Sequence, residues 1–433
     1  MDIPSDLKNK KHKQMKYRLI CVSCKTDNGD FSQWFAQNQQ CSHCGSKHAE
    51  VSFDADYTKL SSLYHETPQS FWHYFDYLPL ENRENIISCK EGAIPVEHWE
   101  FLSQYAAEKF GIACKVMVYR NDLNGGTGTF KDVAAALAAS LFKEHGIPHF
   151  CAASTGNTAT AYAKYLSLAQ VKFTVFTPNI INEDSVNEIK SFGQEAVVVD
   201  GDYAYAKKMA ADYHVTQKVL ISAGNIDPIR VEAKKTMVFE FMRQLGKMPD
   251  VYIQAVSGGT GPIAIDKGVR EIEKYYPEVT LPRILLVQQD TCDPMVQGWE
   301  TAQAKGFPEG WEKNYPIIEN PQTEVSILST GNPGMFPVVA PLVKKSGGTF
   351  LRVKESELVN LAREVYAKKG VLLGPASMVC LLGFYQALAE NKIKDGEIVL
   401  VNIGESAERA AKFRKEVVPG TRLELAHPED TTT

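Results

Sequence analysis

The sequence predicts an α/β protein with parallel sheets, divided into more than one domain. The chain has 433 residues, 44% of them hydrophobic, which is too long for one ordinary core and suggests two or three domains. From residue 115 onward, short apolar runs alternate with helical patterns. This alternation is typical of a parallel sheet with helices on both faces. Glycine-rich segments stand at several strand-to-helix junctions, where open parallel sheets bind their ligands.

The individual elements follow from residue type and periodicity. Each predicted strand is a short apolar or β-branched run, and each predicted helix is a longer segment with an apolar face. The strands are predicted at Lys115–Arg120, His149–Ala153, Phe173–Thr177, Ala196–Val199, Val219–Ser222, Val251–Val256, Ile284–Gln288, Phe350–Val353 and Ile398–Asn402. The helices are predicted at Phe130–His145, Thr158–Leu168, Asp184–Phe192, Tyr203–His214, Ile229–Leu245, from about Ile263, Glu355–Lys368 and Ser377–Glu390.

The expected division of the chain has three parts. Residues 1–52 form a small cysteine ribbon with an N-terminal arm, and residues 133–225 form a small α/β domain. Residues 53–132 and 226–433 together form a large ligand-binding α/β domain, so that a cleft separates the two α/β units. We expect the aromatic-rich segment at 71–77 to be core or a subunit contact.

Four cysteines form two C-x-x-C pairs near the N-terminus. Sixteen residues separate Cys21 and Cys24 from Cys41 and Cys44, which is the spacing of a zinc ribbon. Four thiolates complete a tetrahedral site, so the zinc is expected to be structural. A ribbon that keeps its cysteines without metal is the alternative. The other five cysteines are scattered along the chain and are expected to pack in the core.

Charge and hydropathy exclude several classes of protein. The net charge is −5, which does not favour a nucleic-acid or anionic-membrane partner. No apolar run approaches the ~20 residues of a membrane helix. Residues 1–17 are polar and lack a signal-peptide core, so we expect a cytoplasmic protein. The basic run from Lys8 to Lys16 and the segment from Glu424 onward are expected to be solvated tails.

A lysine follows the first glycine-rich loop, at the start of an alanine-rich helix. The loop is Gly125 to Gly128, and Thr129-Phe130-Lys131-Asp132 comes directly after it. The helix dipole and partial burial would both lower the pKa of the Lys131 amine, which suits a lysine that holds a carbonyl cofactor as an imine. The alternatives are a surface lysine near a cap and, for Asp132, an ordinary helix N-terminal charge.

A second polar loop, Ser154-Thr155-Gly156-Asn157-Thr158, follows the predicted strand at His149–Ala153. The hydroxyl and N–H groups of Ser154, Thr155, Gly156 and Thr158 would hold a substrate carboxylate at a helix N-terminus. The Asn157 amide would donate to a phenolate oxygen of the cofactor. The alternative is a plain helix cap, because Ser, Thr and Asn are preferred capping residues.

The third loop, Ser257-Gly258-Gly259-Thr260-Gly261, lies between a predicted strand and a helix. Free N–H groups and the helix dipole make such a turn a phosphate cradle. The loop lacks the P-loop lysine and the full dinucleotide fingerprint, so a monophosphate fits better than ATP or NAD. A glycine turn without a ligand is the alternative. Two weaker segments, Gly374–Ser377 and Asn402–Ser406, would reach the cofactor ring or serve as turns.

In combination, the chain resembles the threonine synthase family of fold-type II pyridoxal-phosphate enzymes, whose fold is that of the tryptophan synthase β subunit. The family's Ser/Thr-Phe-Lys-Asp/Glu motif matches 129–132, its Ser-x-Gly-Asn-Thr loop matches 154–158, and its glycine loop matches 258–261. The resemblance implies pyridoxal 5'-phosphate as cofactor, an amino-acid substrate, a homodimer, and Lys131 as imine lysine and general base at Cα. The cofactor contacts assigned on this basis are Lys131, Phe130, Asn157, Ser257, Gly258, Gly259, Thr260, Gly261, Ser377, Glu405 and Ser406.

Within that family the cysteate synthase branch is the most similar. Its segments match Gly246–Asp250, Gln254–Gly261, Leu281–Arg283 and the residues Gln288, Pro294, Met295 and Trp299. This resemblance implies a β-replacement through an aminoacrylate, in which O-phosphoserine and sulfite give cysteate and phosphate. The alternatives are threonine synthase, acting on O-phosphohomoserine, a β-eliminating dehydratase, a relative that binds without turnover, and a ribbon that docks a partner.

The sequence also departs from the family pattern. Val133-Ala134 replace an Arg-Gly pair, and Ser329-Thr330 stand in a stretch that carries an arginine in these relatives. Ile403 precedes a glycine where many members place the Thr or Ser that faces the pyridine nitrogen, so Glu405 or Ser406 would take that role. A carboxylate there would keep the ring nitrogen protonated, whereas a hydroxyl would leave it largely neutral.

Overall fold

The computed structural model describes residues 16–181 and 183–419. The tail predicted from Glu424 onward lies outside the described residues, as does the basic run up to Lys13. Lys16, the last residue of that run, is not solvated as expected. Its Nζ donates to the carbonyl oxygens of Phe75 and Leu80 at 2.8 and 2.9 Å, so it fastens the ribbon to the segment that follows.

The N-terminal ribbon is a two-stranded antiparallel sheet. Strands β1 (Tyr17–Cys21) and β2 (Ala49–Phe53) pair from Tyr17 opposite Phe53 to Cys21 opposite Ala49. A short helix, α1 (Phe31–Ala36), starts at Asp30, whose side chain accepts from the Gln33 N–H. The ribbon buries Leu19, Phe31 and Trp34, so it carries apolar side chains into the main core.

A six-stranded sheet forms the centre of the larger α/β unit. Its order is β11-β10-β9-β12-β4-β3, and every neighbouring pair is parallel except β3 with β4. The central strands are buried on both faces, as all-parallel strands between helices must be. The strands are β3 (Val96–His98), β4 (Lys115–Arg120), β9 (Val251–Ala255), β10 (Arg283–Gln289), β11 (Thr349–Val353) and β12 (Ile398–Ile403).

The second sheet has four parallel strands in the order β7-β6-β5-β8. They are β5 (His149–Ala153), β6 (Lys172–Pro178), β7 (Glu195–Val199) and β8 (Leu220–Ile221). Helices connect them in the parallel crossover pattern predicted from the sequence. Two parallel-sheet α/β units beside a cysteine ribbon confirm the predicted fold class, while the domain boundaries drawn from the sequence stay a prediction.

The helices cover both sheets. After α1 they are α2 (Leu60–Leu63), α3 (Glu100–Phe110), α4 (Asp132–Glu144), α5 (Asn157–Leu168), α6 (Glu183–Ser191), α7 (Tyr203–Gln217), α8 (Pro228–Leu245), α9 (Thr260–Ile272), α10 (Pro294–Ala304), α11 (Phe336–Lys345), α12 (Leu358–Lys369), α13 (Pro375–Ala389) and α14 (Ala411–Val417). No helix within the described ranges is both long and apolar enough to cross a membrane. The aromatic side chains between Phe71 and Tyr77 are buried in the core. Core packing was one of the two expectations for this segment, the other being a subunit contact.

A buried group of charges joins α8 and α9. Lys235 Nζ lies 2.6 Å from Glu232 Oε2 and 2.7 Å from Glu271 Oε2. Lys267 also pairs with Glu271, and its Nζ donates to the Val51 carbonyl oxygen of β2 at 2.7 Å. Two lysines and two carboxylates balance one another there, which buried charges require. The first half of α8 and the second half of α9 are thereby held together, and the N-terminal ends of both helices face the site described next.

Candidate active site

The inner cavity of the molecule lies where strands of both sheets end. Its volume is ≈ 100 Å³, and it adjoins an outer cleft of ≈ 400 Å³ that shares several of its walls. Both sheets present the carboxyl ends of parallel strands there, as expected for ligand sites in open sheets. The inner walls come from Phe130, Lys131, Ala134, Ser154, Thr155, Asn157, Thr158, Tyr162, Asn225, Arg230, Lys234, Gln254, Ala255, Ser257, Gly258, Gly259, Thr260, Gly261, Ile327 and Leu328.

Lys131 faces this cavity from the position just before α4. Its Nζ lies 5.4 Å from the centre of the Phe130 ring. Burial, and next the charge of Arg230, lower the pKa of the Lys131 amine from 10.5 to about 8, although Glu405 and Asp132 oppose the shift. A larger share of neutral, nucleophilic amine at neutral pH follows from this placement.

Asp132 does more than place a negative charge at the N-terminus of α4, because it also binds the preceding loop. Its carboxylate accepts hydrogen bonds from the N–H groups of Thr127 at 2.9 Å and Thr129 at 2.8 Å, and from the Thr127 hydroxyl. Asp132 is fully buried, and this burial raises the pKa of its carboxyl to about 7. It therefore folds the glycine-rich loop back onto the first turn of α4 and fixes where Lys131 stands.

The glycine loop from Ser257 to Gly261 forms another wall of the cavity that Lys131 lines. The loop ends β9 and begins α9, whose first N–H groups have no partner inside the helix. None of the N–H groups from Gly258 to Gly261 donates to a residue within the described ranges. Gly259 has φ +84°, and a Cβ there would collide with Val339 Cγ2, so only glycine allows this turn. The loop is a cluster of free N–H donors at a helix N-terminus, which suits an anion.

The second polar loop contributes two kinds of residue. Ser154 caps α5, because its Oγ accepts from the N–H groups of Gly156 and Ala159 at 3.3 and 3.1 Å. Thr155 and Thr158 line both the inner cavity and the outer cleft, whereas Gly156 lines neither. Asn157 faces the inner cavity, and its Nδ2 donates to Glu405 Oε2 at 2.6 Å.

Glu405 follows the end of β12, and its side chain contacts Asn157. A Cβ built on Gly374 would lie 2.6 Å from Glu405 Oε1, so the Glu405 side chain fills the space that a larger residue at 374 would need. Oε1 also accepts from the Ala376 N–H at 3.2 Å, and burial raises the pKa of this carboxyl. Ser377 Oγ donates to the Glu405 carbonyl and accepts from its N–H, so Ser377 shapes the turn. Ser377, Glu405 and Ser406 do not line the inner cavity.

Two basic residues of α8 line the cavity, although they were not predicted as site residues from the sequence. Arg230 lies between the inner cavity and the outer cleft, with Nε donating to the Tyr162 hydroxyl at 3.3 Å and Nη2 to Ser222 Oγ at 2.9 Å. Lys234, one helical turn later, lines the inner cavity alone. Their spacing of four places them on one face of a helix, and that spacing was the available signal. No Asp or Glu lines the inner cavity, so its charge is positive.

The four ribbon cysteines meet in one cluster. Their sulfur atoms all lie within 4.8 Å of one another, with Cys21 to Cys44 at 3.6 Å and Cys24 to Cys41 at 3.5 Å. Thiolates about 2.3 Å from a tetrahedral zinc are about 3.8 Å apart, so the cluster has the size of such a site. Although burial opposes it, N–H donation from Cys44 and His43 lowers the pKa of Cys41 to about 6. The other five cysteines are unpaired, and all except the half-buried Cys89 are buried, in line with core packing.

The sequence of this chain is similar to those of known proteins. Residues 87–404 match the family described as "Pyridoxal-phosphate dependent enzyme". The threonine synthase of Methanocaldococcus jannaschii is 27% identical over 336 residues, which cover 77% of this chain and 79% of that protein. The threonine synthase of Methanosarcina acetivorans is 26% identical over 393 residues, which cover 90% of this chain and 91% of that protein.

Solved structures with the same fold are more distant in sequence. Diaminopropionate ammonia lyase from Escherichia coli superimposes with a TM-score of 0.61 at 16% identity, over 84% of this chain and 92% of that one. Cysteine synthase from Entamoeba histolytica gives a TM-score of 0.57 at 14% identity, over 74% of this chain and 87% of that one. At these identities the likeness concerns the fold.

Proposed function

Because the chain belongs to the family of pyridoxal-phosphate-dependent enzymes, we propose that it replaces the β-substituent of an O-phosphorylated amino acid, as a cysteate synthase does. The observation that carries this proposal is a single cavity lined by a buried lysine amine, a loop of free N–H groups and an arginine, without any carboxylate. Such a cavity suits a phosphorylated cofactor and a second anionic group beside it.

The residues present fit pyridoxal phosphate. Lys131 would hold the cofactor's aldehyde carbon, the loop from Ser257 to Gly261 would hold its phosphate, and Asn157 would donate to its ring oxygen. The N–H groups of the loop donate to no described residue, so they can bind a phosphate at the N-terminus of α9. Glu405 does not line the inner cavity, so it would act on the ring through Asn157, whose Nδ2 donates to Glu405 Oε2 at 2.6 Å.

Lys131 performs the proton transfer. When bound, pyridoxal phosphate supplies an electron-withdrawing ring that acidifies the Cα–H of the attached amino acid. Lys131 then takes that proton, because its lowered pKa of about 8 gives a larger share of neutral amine near pH 7 than an ordinary lysine has. Asp132 keeps the lysine in place through the loop that it caps, and Phe130 shields one side of the amine from water.

Arg230 replaces the arginine that is absent near Ser329. Its guanidinium stands where the inner cavity opens into the outer cleft, beside Thr155, Thr158 and Asn225. Hydrogen bonds to Tyr162 and Ser222 fix its plane, and its remaining N–H groups are available to a phosphate ester. Arg230 would therefore bind the leaving group of the substrate while the amino-acid end lies near Lys131.

The proposed reaction balances without an oxidant. The Cβ–O bond of O-phosphoserine breaks and phosphate leaves, and a C–S bond forms from sulfite to give cysteate. Threonine synthase chemistry on O-phosphohomoserine is the second candidate, favoured by the names of the relatives with 27% and 26% identity. Both reactions would place a phosphate ester at Arg230, so the residues that line the cavity are compatible with either reaction.

Product analysis separates the two candidates. The purified enzyme, reconstituted with pyridoxal phosphate, is mixed with O-phosphoserine, O-phosphohomoserine, serine or threonine, each with and without sulfite. We expect phosphate release and cysteate, identified by mass spectrometry, only from O-phosphoserine with sulfite. Threonine formed from O-phosphohomoserine supports the second candidate instead. If no substrate gives a product and the Lys131→Ala variant has the same absorbance spectrum as the unaltered enzyme, both are wrong.

We also propose that the ribbon holds a structural zinc ion and that the enzyme works as a cytoplasmic homodimer. The four sulfur atoms within 4.8 Å support the first of these. Zinc in a site with four thiolates has no open position, so the ribbon would take no part in the reaction.

A further inference from the structure

Lys234 is a buried lysine in the middle of α8. Its residue is 3% exposed, and its ammonium forms no hydrogen bond or ion pair within the described part of the chain. The ammonium lies against the face of the Phe130 ring, whose centre is 3.9 Å from Nζ. An aromatic face compensates only a small part of the cost of burying an ammonium, so an anion bound in the cavity would stabilise the protonated form of Lys234.

The surroundings of Lys234 repel cations and attract anions. Burial, and then the charges of Lys131 and Arg230, hold the pKa of Lys234 well below its usual range. No carboxylate lines the same cavity. A bound anion would reverse this shift, because it would compensate all three basic groups at once.

Lys234 and the glycine loop line the same inner cavity. Gly259, Thr260, Gly261 and Lys234 line the inner cavity and do not reach the outer cleft, whereas Arg230 lines both. The two anion-binding groups, Lys234 and Arg230, therefore serve different depths of the site.

Helix direction explains this placement. Helices α8 and α9 run side by side in the same direction, since Thr260 Oγ1 donates to the Asn225 carbonyl just before α8, and Gly268 lies against Val238 further along. Side chains of a helix lean toward its N-terminus. The Lys234 side chain thus leans toward the end at which the free N–H groups of α9 also point.

We propose that Lys234 is a cofactor-binding residue whose ammonium pairs with the phosphate group of pyridoxal phosphate in the Ser257–Gly261 loop. The inference rests on the proposed function for the identity of the cofactor. It adds a charged partner to a cradle that otherwise offers only N–H and hydroxyl donors, and it leaves Arg230 to the substrate.

Paired binding measurements test this assignment. The dissociation constants of pyridoxal phosphate and of pyridoxal, which lacks the phosphate, are measured for the unaltered enzyme and for Lys234→Met. We expect the variant to lose at least tenfold in affinity for pyridoxal phosphate and less than twofold for pyridoxal. Inorganic phosphate, titrated calorimetrically into the cofactor-free enzyme, should bind the unaltered protein and not the variant. Lys234→Arg should recover part of both affinities.

Lys207→Met is the matched control, since Lys207 lies in the outer cleft over the Tyr203 ring and the change removes the same charge. It should leave both dissociation constants unchanged. Equal losses for the two ligands in Lys234→Met, or no loss, would overturn the assignment, as would a loss confined to O-phosphoserine. Lys234→Gln gives the same test if the methionine variant does not fold. If the unaltered enzyme binds neither pyridoxal form, the proposed function fails instead.

Discussion

Replacing Gly374 with alanine tests the packing behind the candidate site. The added Cβ would lie 2.6 Å from Glu405 Oε1 and 2.7 Å from its Cγ, whereas ordinary contact begins at 3.4 Å. The carboxylate must therefore move by about 0.8 Å, the difference between these distances. A displacement of that size breaks or weakens its bonds to Asn157 at 2.6 Å and to the Ala376 N–H at 3.2 Å.

The expected cost follows from those two bonds. Each buried hydrogen bond to a carboxyl contributes about 1–3 kcal/mol, so Gly374→Ala should lower the free energy of unfolding by about 2–6 kcal/mol. Urea unfolding of the cofactor-free protein, followed by tryptophan fluorescence, measures this change. Gly404→Ala is the control, because no atom lies within 4 Å of a Cβ at that glycine. It should alter the unfolding free energy by less than about 1 kcal/mol.

A double-mutant cycle identifies the cause of the loss. A Glu405→Ala background removes the three atoms nearest to the added Cβ, and the second substitution should then cost less than about 0.5 kcal/mol. The reasoning is refuted if Gly374→Ala costs the same in both backgrounds, since the collision with Glu405 would then not be the source of the destabilisation.

Three further outcomes are expected. Zinc measured by mass spectrometry should be about one ion per chain and should be lost in Cys41→Ser, but kept in Cys151→Ser, whose thiol packs in the core. Arg230→Met should raise the KM for the phosphorylated amino acid roughly 10- to 100-fold, the value of a charged hydrogen bond, without weakening cofactor binding; an unchanged KM would remove Arg230 from the substrate site. The rate of cofactor loading should rise about tenfold from pH 7 to pH 9 and then level off, because the neutral amine of Lys131 is required and its pKa is about 8. A rise that continues beyond pH 10 in stopped-flow traces would show an unshifted lysine, and Arg230→Met should move the midpoint to higher pH.

Most strands could be predicted because buried parallel strands have a strong local signature. Lys115–Arg120 and His149–Ala153 agree residue for residue, and the other predicted strands differ at their ends by a residue or two. Helices with mixed signals were missed. Helix α10 starts with a proline, and α11 contains Pro341, so both lack the uninterrupted pattern on which the prediction relies. Strand β3 is three residues long and pairs antiparallel at the sheet edge, which leaves almost no periodicity.

The candidate site was predictable where its residues lie in loops with a distinctive composition. The loops around Lys131, Asn157 and Gly259 meet at one cavity, as their positions after strands implied. Arg230 and Lys234 escaped notice because α8 is buried on nearly all sides, so its basic residues did not stand out from a polar face. The fit of Glu405 against Gly374 depends on tertiary packing and has no signature in either segment.

The attachment of β2 to α8 and α9 has a consequence for shortened forms of the protein. Arg270 of α9 pairs with Glu50 at 2.7 Å, Lys267 donates to the Val51 carbonyl, and Lys235 lies 4.0 Å from the Phe53 ring centre. A chain that began after residue 53 would lack these contacts. The buried group of charges that joins α8 and α9 would then be exposed to water. The ribbon thus supports the larger α/β unit, and truncation at that point should disturb the glycine loop at Ser257–Gly261 some distance away rather than yield a smaller, intact enzyme.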